Sequence, residues 1–105
     1  MMESNQDMRR LTLLSMQRAL WGMVTPGLRG VAVRWANNFI GARFYYEREI
    51  DEETWGIVRE VETYVYADFD EHLVAEFTAE FVPVDVRLES RPGEWWAYLR
   101  KEPFV

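Results

Sequence analysis

Two alternating segments around Asn37-Asn38 constrain the fold of this chain more than any other feature. In residues 31–35 and 40–46, apolar side chains occupy every second position. Successive side chains of a strand point to opposite faces, so this spacing indicates two strands that each bury one face. Adjacent asparagines tolerate positive φ and suit a two-residue hairpin turn. The predicted apolar pairs, all on one face, are Trp35–Ile40, Val33–Ala42 and Val31–Phe44.

Two segments with helical spacing of apolar residues flank this hairpin. The first runs from about Asn5 to Trp21 without an internal proline or glycine, and Gly22 can end it in a left-handed conformation. The second starts after Asp51, whose side chain can cap it, and continues to about Ala67. We predict a helix in each segment.

A second hairpin is predicted after the second helix. Residues 74–82 alternate again, and Pro83 shifts the apolar parity, so we expect a bulge or a break before a further strand segment at 84–89. A turn at residues 90–93 then leads into the last strand. The predicted pairs across this turn are Leu88–Trp95, Val86–Ala97 and Val84–Leu99.

These elements predict an α+β fold in which a mainly antiparallel sheet carries both helices on one face. The expected architecture is a two-layer sandwich in the order α-β-β-α-β-β. The chain has 105 residues, of which 49% are hydrophobic, and this is enough for one domain over residues 1–105 without metal or disulfide support. The chain contains no cysteine, which excludes disulfides, thiol chemistry and zinc–thiolate sites.

Charge and hydropathy bound the partners of this chain. The formal net charge is -6, so polyanions are repelled at long range and a nucleic-acid partner is not expected. No apolar run approaches the roughly 18 residues that a membrane span needs, so a membrane partner is not expected either. Residues 1–7 lack the basic and apolar regions of a signal peptide, and we therefore expect an unprocessed, cytoplasmic chain.

Two adjacent tryptophans raise the question of what lies on each face of the sheet. In a strand, Trp95 and Trp96 point to opposite sides, so we assign Trp95 to the core and Trp96 to the other face. The other face is rich in aromatic and charged residues. Such a face is either a solvated ladder of charge pairs or an interface, most commonly between copies of one chain. The candidate interface residues are Arg34, Arg43, Tyr45, Glu76, Glu80, Arg87, Trp96, Tyr98 and Arg100.

The sequence contains no pattern that indicates catalysis or cofactor binding. A glycine-rich phosphate loop, a G-x-S-x-G elbow and an H-E-x-x-H motif are all absent. The chain has one histidine, His72, beside Asp68, Asp70 and Glu71, but their spacing does not match a calcium loop. We therefore predict no catalytic, cofactor-binding or metal-binding residues, and no cofactor.

Several short stretches resemble a widespread group of short, stand-alone bacterial proteins. Members of such groups occur among mobile gene cassettes, and some resemble immunity proteins of bacterial toxin systems. The resemblance spans most of the chain and implies an intact, single-domain bacterial protein, but it brings no assigned catalytic residue. The stretches that carry it are Gln17-Arg-Ala-Leu-Trp-Gly22, Val24-Thr-Pro26, Leu28-Arg29, Arg43-Phe-Tyr-Tyr46, Val61-Glu-Thr63 and Tyr98-Leu-Arg-Lys-Glu102.

Two hypotheses of different classes follow. The first is a non-enzymatic protein-interaction module, either a homo-oligomer or the partner of another protein, with a toxin-immunity role as its most specific form. The negative charge would speed association with a basic toxin. The alternative is a small-ligand binding protein or minor enzyme with an apolar pocket between the helices and the sheet, near Trp21, Trp35 and Trp55.

Overall fold

The computed structural model describes residues 5–102 and contains two helices and four strands in that range. They follow one another in the predicted order α-β-β-α-β-β, and the predicted α+β class is confirmed. Their bounds are α1 Asn5–Ala19, β1 Leu28–Ala36, β2 Phe39–Tyr46, α2 Glu52–Ala67, β3 Val74–Phe81 and β4 Trp95–Leu99.

The first hairpin has the predicted register. Strands β1 and β2 are antiparallel and pair as expected, from Trp35 opposite Ile40 to Val31 opposite Phe44. Asn38 has a φ of 59°, which is the left-handed conformation that tight hairpin turns use and that asparagine tolerates. Local sequence alone was therefore sufficient to define this pair of strands.

The helix ends also follow the local sequence. Asp51 caps α2, because its carboxylate accepts a hydrogen bond from the backbone N–H of Thr54 at 2.8 Å. The same bond holds the pKa of Asp51 below its ordinary value, since it stabilises the charged form. Helix α1 ends at Ala19, slightly before the predicted end, and Gly22 follows with a φ of 75°.

A cluster of buried apolar residues joins the two helices to alternate residues of the strands. Met16 of α1, Leu20 directly after that helix and the buried valines of α2 belong to this cluster. Burial of each of these aliphatic or aromatic side chains contributes about 1.5–3 kcal/mol to the stability of the fold. We call the strand side of this cluster the core face and define it by Val31, Val33, Ile40, Ala42, Phe44 and Phe77.

The sheet is mixed, with the strand order β3-β2-β1-β4. Strand β1 is antiparallel to both β2 and β4, whereas β2 and β3 are parallel. Parallel neighbours need a crossover connection, and α2 provides it. The alternation of apolar residues does not distinguish a parallel from an antiparallel neighbour, so the sequence did not reveal this pair.

The prediction of a second hairpin is wrong. Residues 82–94 form no strand, and β4 pairs with β1, so the predicted partners of Val84, Val86 and Leu88 are not formed. Strands β3 and β4 lie at opposite edges of the sheet and point in the same direction. A tight turn cannot join two such strands, because the chain must return along the sheet before β4 can begin.

The hand of the two crossover connections explains the path of residues 82–94. Right-handed connections make up about 98% of crossovers between parallel strands of one sheet. The connection from β2 to β3 and the connection from β3 to β4 run in opposite directions across the sheet. They can therefore have the same hand only if they cross opposite faces of the sheet. Accordingly, Arg91 pairs with Glu80, and Glu94 pairs with Arg43. The side chains of Glu80 and Arg43 lie on the face opposite the core.

Strand β4 contains a bulge that changes the face of its second half. Its pairing with β1 shifts from Trp96 opposite Ala32 to Tyr98 opposite Val31, which leaves Ala97 as the extra residue. Tyr98 therefore packs against the core. Its predicted place on the opposite face is wrong, because the prediction assumed unbroken alternation.

Trp95 is not the buried core residue that the sequence predicted. It lies opposite Val33, on the core side, but it is 45% exposed. Its ring stacks on Trp35 with centroids 6.1 Å apart, and the guanidinium of Arg9 lies 4.2 Å from the ring centroid. The burial is incomplete because β4 is the edge strand of the sheet.

Candidate functional site

The face of the sheet opposite the core carries a group of the predicted interface residues. The register of β1, β2 and β3 sets Arg34 in line with Glu76 and Tyr45 in line with Glu80. The Arg34 guanidinium lies over Gly41, where an added Cβ would approach its Cζ to 2.6 Å. We call this surface the outer face and define it by Arg34, Arg43, Tyr45, Glu76 and Glu80.

The charges of the outer face are paired within the chain. Arg34 lies 3.6 Å from Glu76, and Arg43 lies 3.3 Å from both Glu80 and Glu94. The pairs with Glu76 and Glu80 are partly exposed and contribute at most about 1 kcal/mol each. Their main consequence is that this face presents little net charge to a partner.

Trp96 closes part of the outer face. Its ring covers Gly30, where an added Cβ would lie 2.8 Å from Cζ3, and meets Tyr45 edge-on with centroids 5.9 Å apart. Tyr45 is only 3% exposed, and its hydroxyl has no hydrogen-bond partner among residues 5–102. Burial raises the pKa of Tyr45. This part of the face is therefore covered by the chain itself.

Three residues of the predicted interface lie elsewhere. Tyr98 turns toward the core because of the bulge. Arg87 lies in the connection 82–94, which replaces the strand predicted there. Arg100 follows β4 and pairs with Glu47 and Glu102 instead of extending the outer face.

A fully buried arginine at the start of β1 was missed by the sequence analysis. Nε and Nη2 of Arg29 donate to the two carboxylate oxygens of Glu102 at 2.8 and 2.7 Å. Nη1 donates to the carbonyl oxygens of Val82, Pro83 and Val86 at 3.0, 2.8 and 2.9 Å. These contacts hold the pKa of Glu102 below its ordinary value, because Arg29 stabilises the carboxylate. Arg29 thus ties β1 to the segment after β3 and to residue 102.

The sequence held only a faint signal for this pair. Arg29 and Glu102 are 73 positions apart, and neither belongs to a recognisable motif. Both fall in stretches that carry the resemblance to the bacterial group, Leu28-Arg29 and Tyr98–Glu102. Their place in these stretches singled out both residues but did not indicate that they contact each other.

The bonds from Arg29 hold a turn at residues 83–86. Inside the turn, the Val86 N–H donates to the Pro83 carbonyl oxygen at 2.9 Å. Val84 and Val86 are 47% and 48% exposed, with the exposed Asp85 between them. A fixed backbone therefore presents two aliphatic side chains and one carboxylate to solvent. We call residues 83–86 the pinned turn.

The same end of the sheet carries a cluster of exposed carboxylates. The Val82 N–H donates to the Tyr46 carbonyl oxygen at 2.8 Å, so β2 and β3 end side by side and the segments that follow them start at the same end of the sheet. Segments 47–53 and 82–87 together hold six carboxylates and two arginines, in a chain whose net charge is -6. Glu49, Glu52 and Glu53 are exposed and make no ion pair with the described residues. We call segments 47–53 and 82–87 the acidic end.

A cleft of about 610 Å³ lies between α1, the hairpin turn and the connection from α2 to β3. Asp68 at its wall accepts a hydrogen bond from the Ser15 hydroxyl at 2.7 Å and pairs with Arg18 at 3.3 Å. None of the tryptophans suggested for an apolar pocket lines this cleft. The lining residues are Met8, Leu11, Leu14, Ser15, Arg18, Asn37, Asn38, Asp68, Phe69, Asp70 and Leu73.

The acidic residues around His72 have a structural role in the connection from α2 to β3. The carboxylate of Asp70 accepts a hydrogen bond from the backbone N–H of His72 at 2.9 Å and so closes a turn. Across residues 5–102, no three acidic or histidine side chains come close enough to hold a metal ion. No helix in that range is long and apolar enough to cross a membrane.

One family of known proteins matches this chain over nearly its whole length. The family is described as MafI2 immunity protein, and the match covers residues 9–102. This span includes the whole sheet, α2, most of α1, and both Arg29 and Glu102. No curated protein matches the chain.

Proposed function

Because this chain belongs to the MafI2 immunity protein family, we propose that it binds a bacterial toxin protein and neutralises it. The family match over residues 9–102 is the observation that carries this proposal. The role is non-enzymatic and stoichiometric, since one immunity protein blocks one toxin for as long as the complex lasts. We expect this neutralisation to occur in the cytoplasm.

The charge distribution supports a basic toxin as the partner. The acidic end concentrates carboxylates on one side of the protein, and exposed like charges create a field that extends about 8 Å at physiological ionic strength. Such a field accelerates the encounter with a partner of opposite charge. Fast capture suits a protein that must bind its toxin before damage occurs.

Co-expression tests the proposal directly. The products of the genes adjacent to this one are each produced in a bacterial host with and without this chain. Any product that is toxic is purified, mixed with this chain and separated by size. We expect growth to be restored and a stable complex to form. A small acidic protein of unrelated fold and equal net charge serves as the control. If growth is not restored and no complex forms, the immunity role is wrong.

Self-association through the outer face is a second proposal. The two signs of charge on that face, such as Arg34 beside Glu76, could also match a second copy of the chain. Because these charges are already paired within one chain, they favour contact with a second copy less strongly. Sedimentation of the wild type and of Trp96→Ala tests it, and a monomer at tens of micromolar concentration would reject the homo-oligomer.

If the chain binds a small ligand, the cleft beside α1 is the candidate binding site. The cleft combines the exposed leucines of α1 with the Asp68–Arg18 pair, and ligand sites commonly mix an apolar wall with a few polar groups. A thermal-shift screen with metabolites tests this alternative. A saturable rise in melting temperature for one chemical class would support it, and a flat result would reject it.

A further inference from the structure

We propose that the toxin docks on the acidic end of the sheet, with the pinned turn at the centre of the contact. The matching surface of the toxin is then basic around an apolar centre. This inference rests on the proposed immunity function and adds the binding surface and the chemistry of the partner.

The pinned turn has the composition of an interface centre. Val84 and Val86 are about half-exposed, and Phe81, which precedes the turn at the end of β3, is 45% exposed. Three apolar side chains exposed within six residues offer area that a partner can bury. Interface centres are apolar and are ringed by polar residues that remain partly hydrated.

The backbone of this surface is held in place before any partner arrives. Connections as long as residues 82–94 without regular structure commonly carry function. Here one end of the connection is fixed by the three carbonyl bonds of Arg29 to Val82, Pro83 and Val86. A loop that is already ordered loses little conformational entropy on binding, so its contacts translate more fully into affinity.

Charge distinguishes the acidic end from the other exposed surfaces. Its two segments hold six carboxylates and two arginines; Glu47 is paired with Arg100, but Glu49, Glu52 and Glu53 are exposed and make no ion pair with the described residues. On the outer face, by contrast, arginines and glutamates neutralise one another. In the cleft, Asp68 is already paired with Arg18. A basic partner is therefore attracted to the acidic end in preference to these two surfaces.

The test compares substitutions at the two ends of β3. Association and dissociation rates are measured at low and at physiological salt for the toxic protein that the co-expression experiment identifies. For Val84→Ser/Val86→Ser we expect at least about tenfold weaker binding through faster dissociation. For Asp85→Lys we expect slower association with a weaker salt dependence. Val74→Ser and Glu71→Lys, also exposed but at the opposite end of the sheet, should stay within about twofold of the wild type.

Each outcome of this test decides a separate point. Circular dichroism and thermal unfolding check that every variant is folded, which we expect because none of the replaced side chains is buried. If the wild type does not bind the toxin, both the immunity function and this docking surface are overturned. If the wild type binds and the turn variants bind as tightly as the controls, the docking surface is overturned and the immunity function stands.

Discussion

Replacement of Arg29 by methionine tests how the pinned turn is held. The substitution keeps a long side chain but removes all five hydrogen bonds of the buried guanidinium. Glu102, whose side chain is 5% exposed, would lose its bidentate partner. The carbonyl oxygens of residues 82, 83 and 86 would lose a charged donor at the same time.

The size of the effect follows from these lost partners. Removing one member of a buried ion pair costs about 3–5 kcal/mol, because the other charge stays buried without compensation. The three carbonyl groups add less than their full desolvation penalty, since Pro83 is exposed and water can replace part of the lost bonds. Arg100 also keeps one oxygen of Glu102 bonded at 3.0 Å. We therefore expect a total loss of about 3–5 kcal/mol, or a fall in melting temperature of roughly 12 °C or more.

Urea unfolding monitored by circular dichroism and by tryptophan fluorescence measures this loss. Arg10→Met is the matched control, because its ion pair with Asp7 is on the surface and its side chain is 73% exposed. We expect the control to change the free energy of unfolding by no more than about 0.5 kcal/mol. A loss below about 1 kcal/mol in Arg29→Met would refute the reasoning, since it would show that the buried pair does not hold this end of the sheet.

Three further predictions follow from the same packing. Because its folded-state pKa lies below the ordinary 4.5, Glu102 stabilises the fold above that pH, and the stabilisation is lost as the pH falls toward the folded-state pKa; Glu102→Gln should remove this part of the acid dependence in urea titrations. Trp96→Ala should cost about 2–4 kcal/mol and Trp95→Ala about half as much, because Trp95 is the more exposed ring; equal losses in chemical denaturation would contradict the assigned burial. Gly30→Ala should destabilise the protein by about 1–3 kcal/mol, since its Cβ would meet an indole ring at 2.8 Å and a backbone oxygen at 3.3 Å. Gly41→Ala, whose Cβ would meet only the movable end of an arginine, should cost less in the same assay.

The sequence also anticipated part of the candidate site. The outer-face positions of Arg34, Arg43 and Tyr45 follow from the alternation of the first hairpin, which is set by neighbouring residues alone. The resemblance pointed toward immunity proteins, and the family match agrees. Neither source located the acidic end or the pinned turn as a surface, because both depend on where residues 82–94 run in space.

What the sequence determined by itself is what neighbouring residues decide. Apolar spacing, the Asp51 cap and the turn at Asn37-Asn38 specify two helices, the first hairpin and the order of the elements. These features depend on interactions within a few positions of the chain. They can therefore be inferred from the sequence without knowledge of the remaining fold.

Only the tertiary structure decided the pairing of remote segments. Strand β4 pairs with β1 and therefore lies at the edge opposite β3 with the same direction. Residues 82–94 connect these two edges and contact the outer face through Arg91 and Glu94. The bulge at Ala97 then reverses the face of Tyr98, and Arg29 finds Glu102 across 73 positions. Such contacts depend on strand direction, crossover hand and shared burial, and none of these is encoded in the spacing of neighbouring side chains.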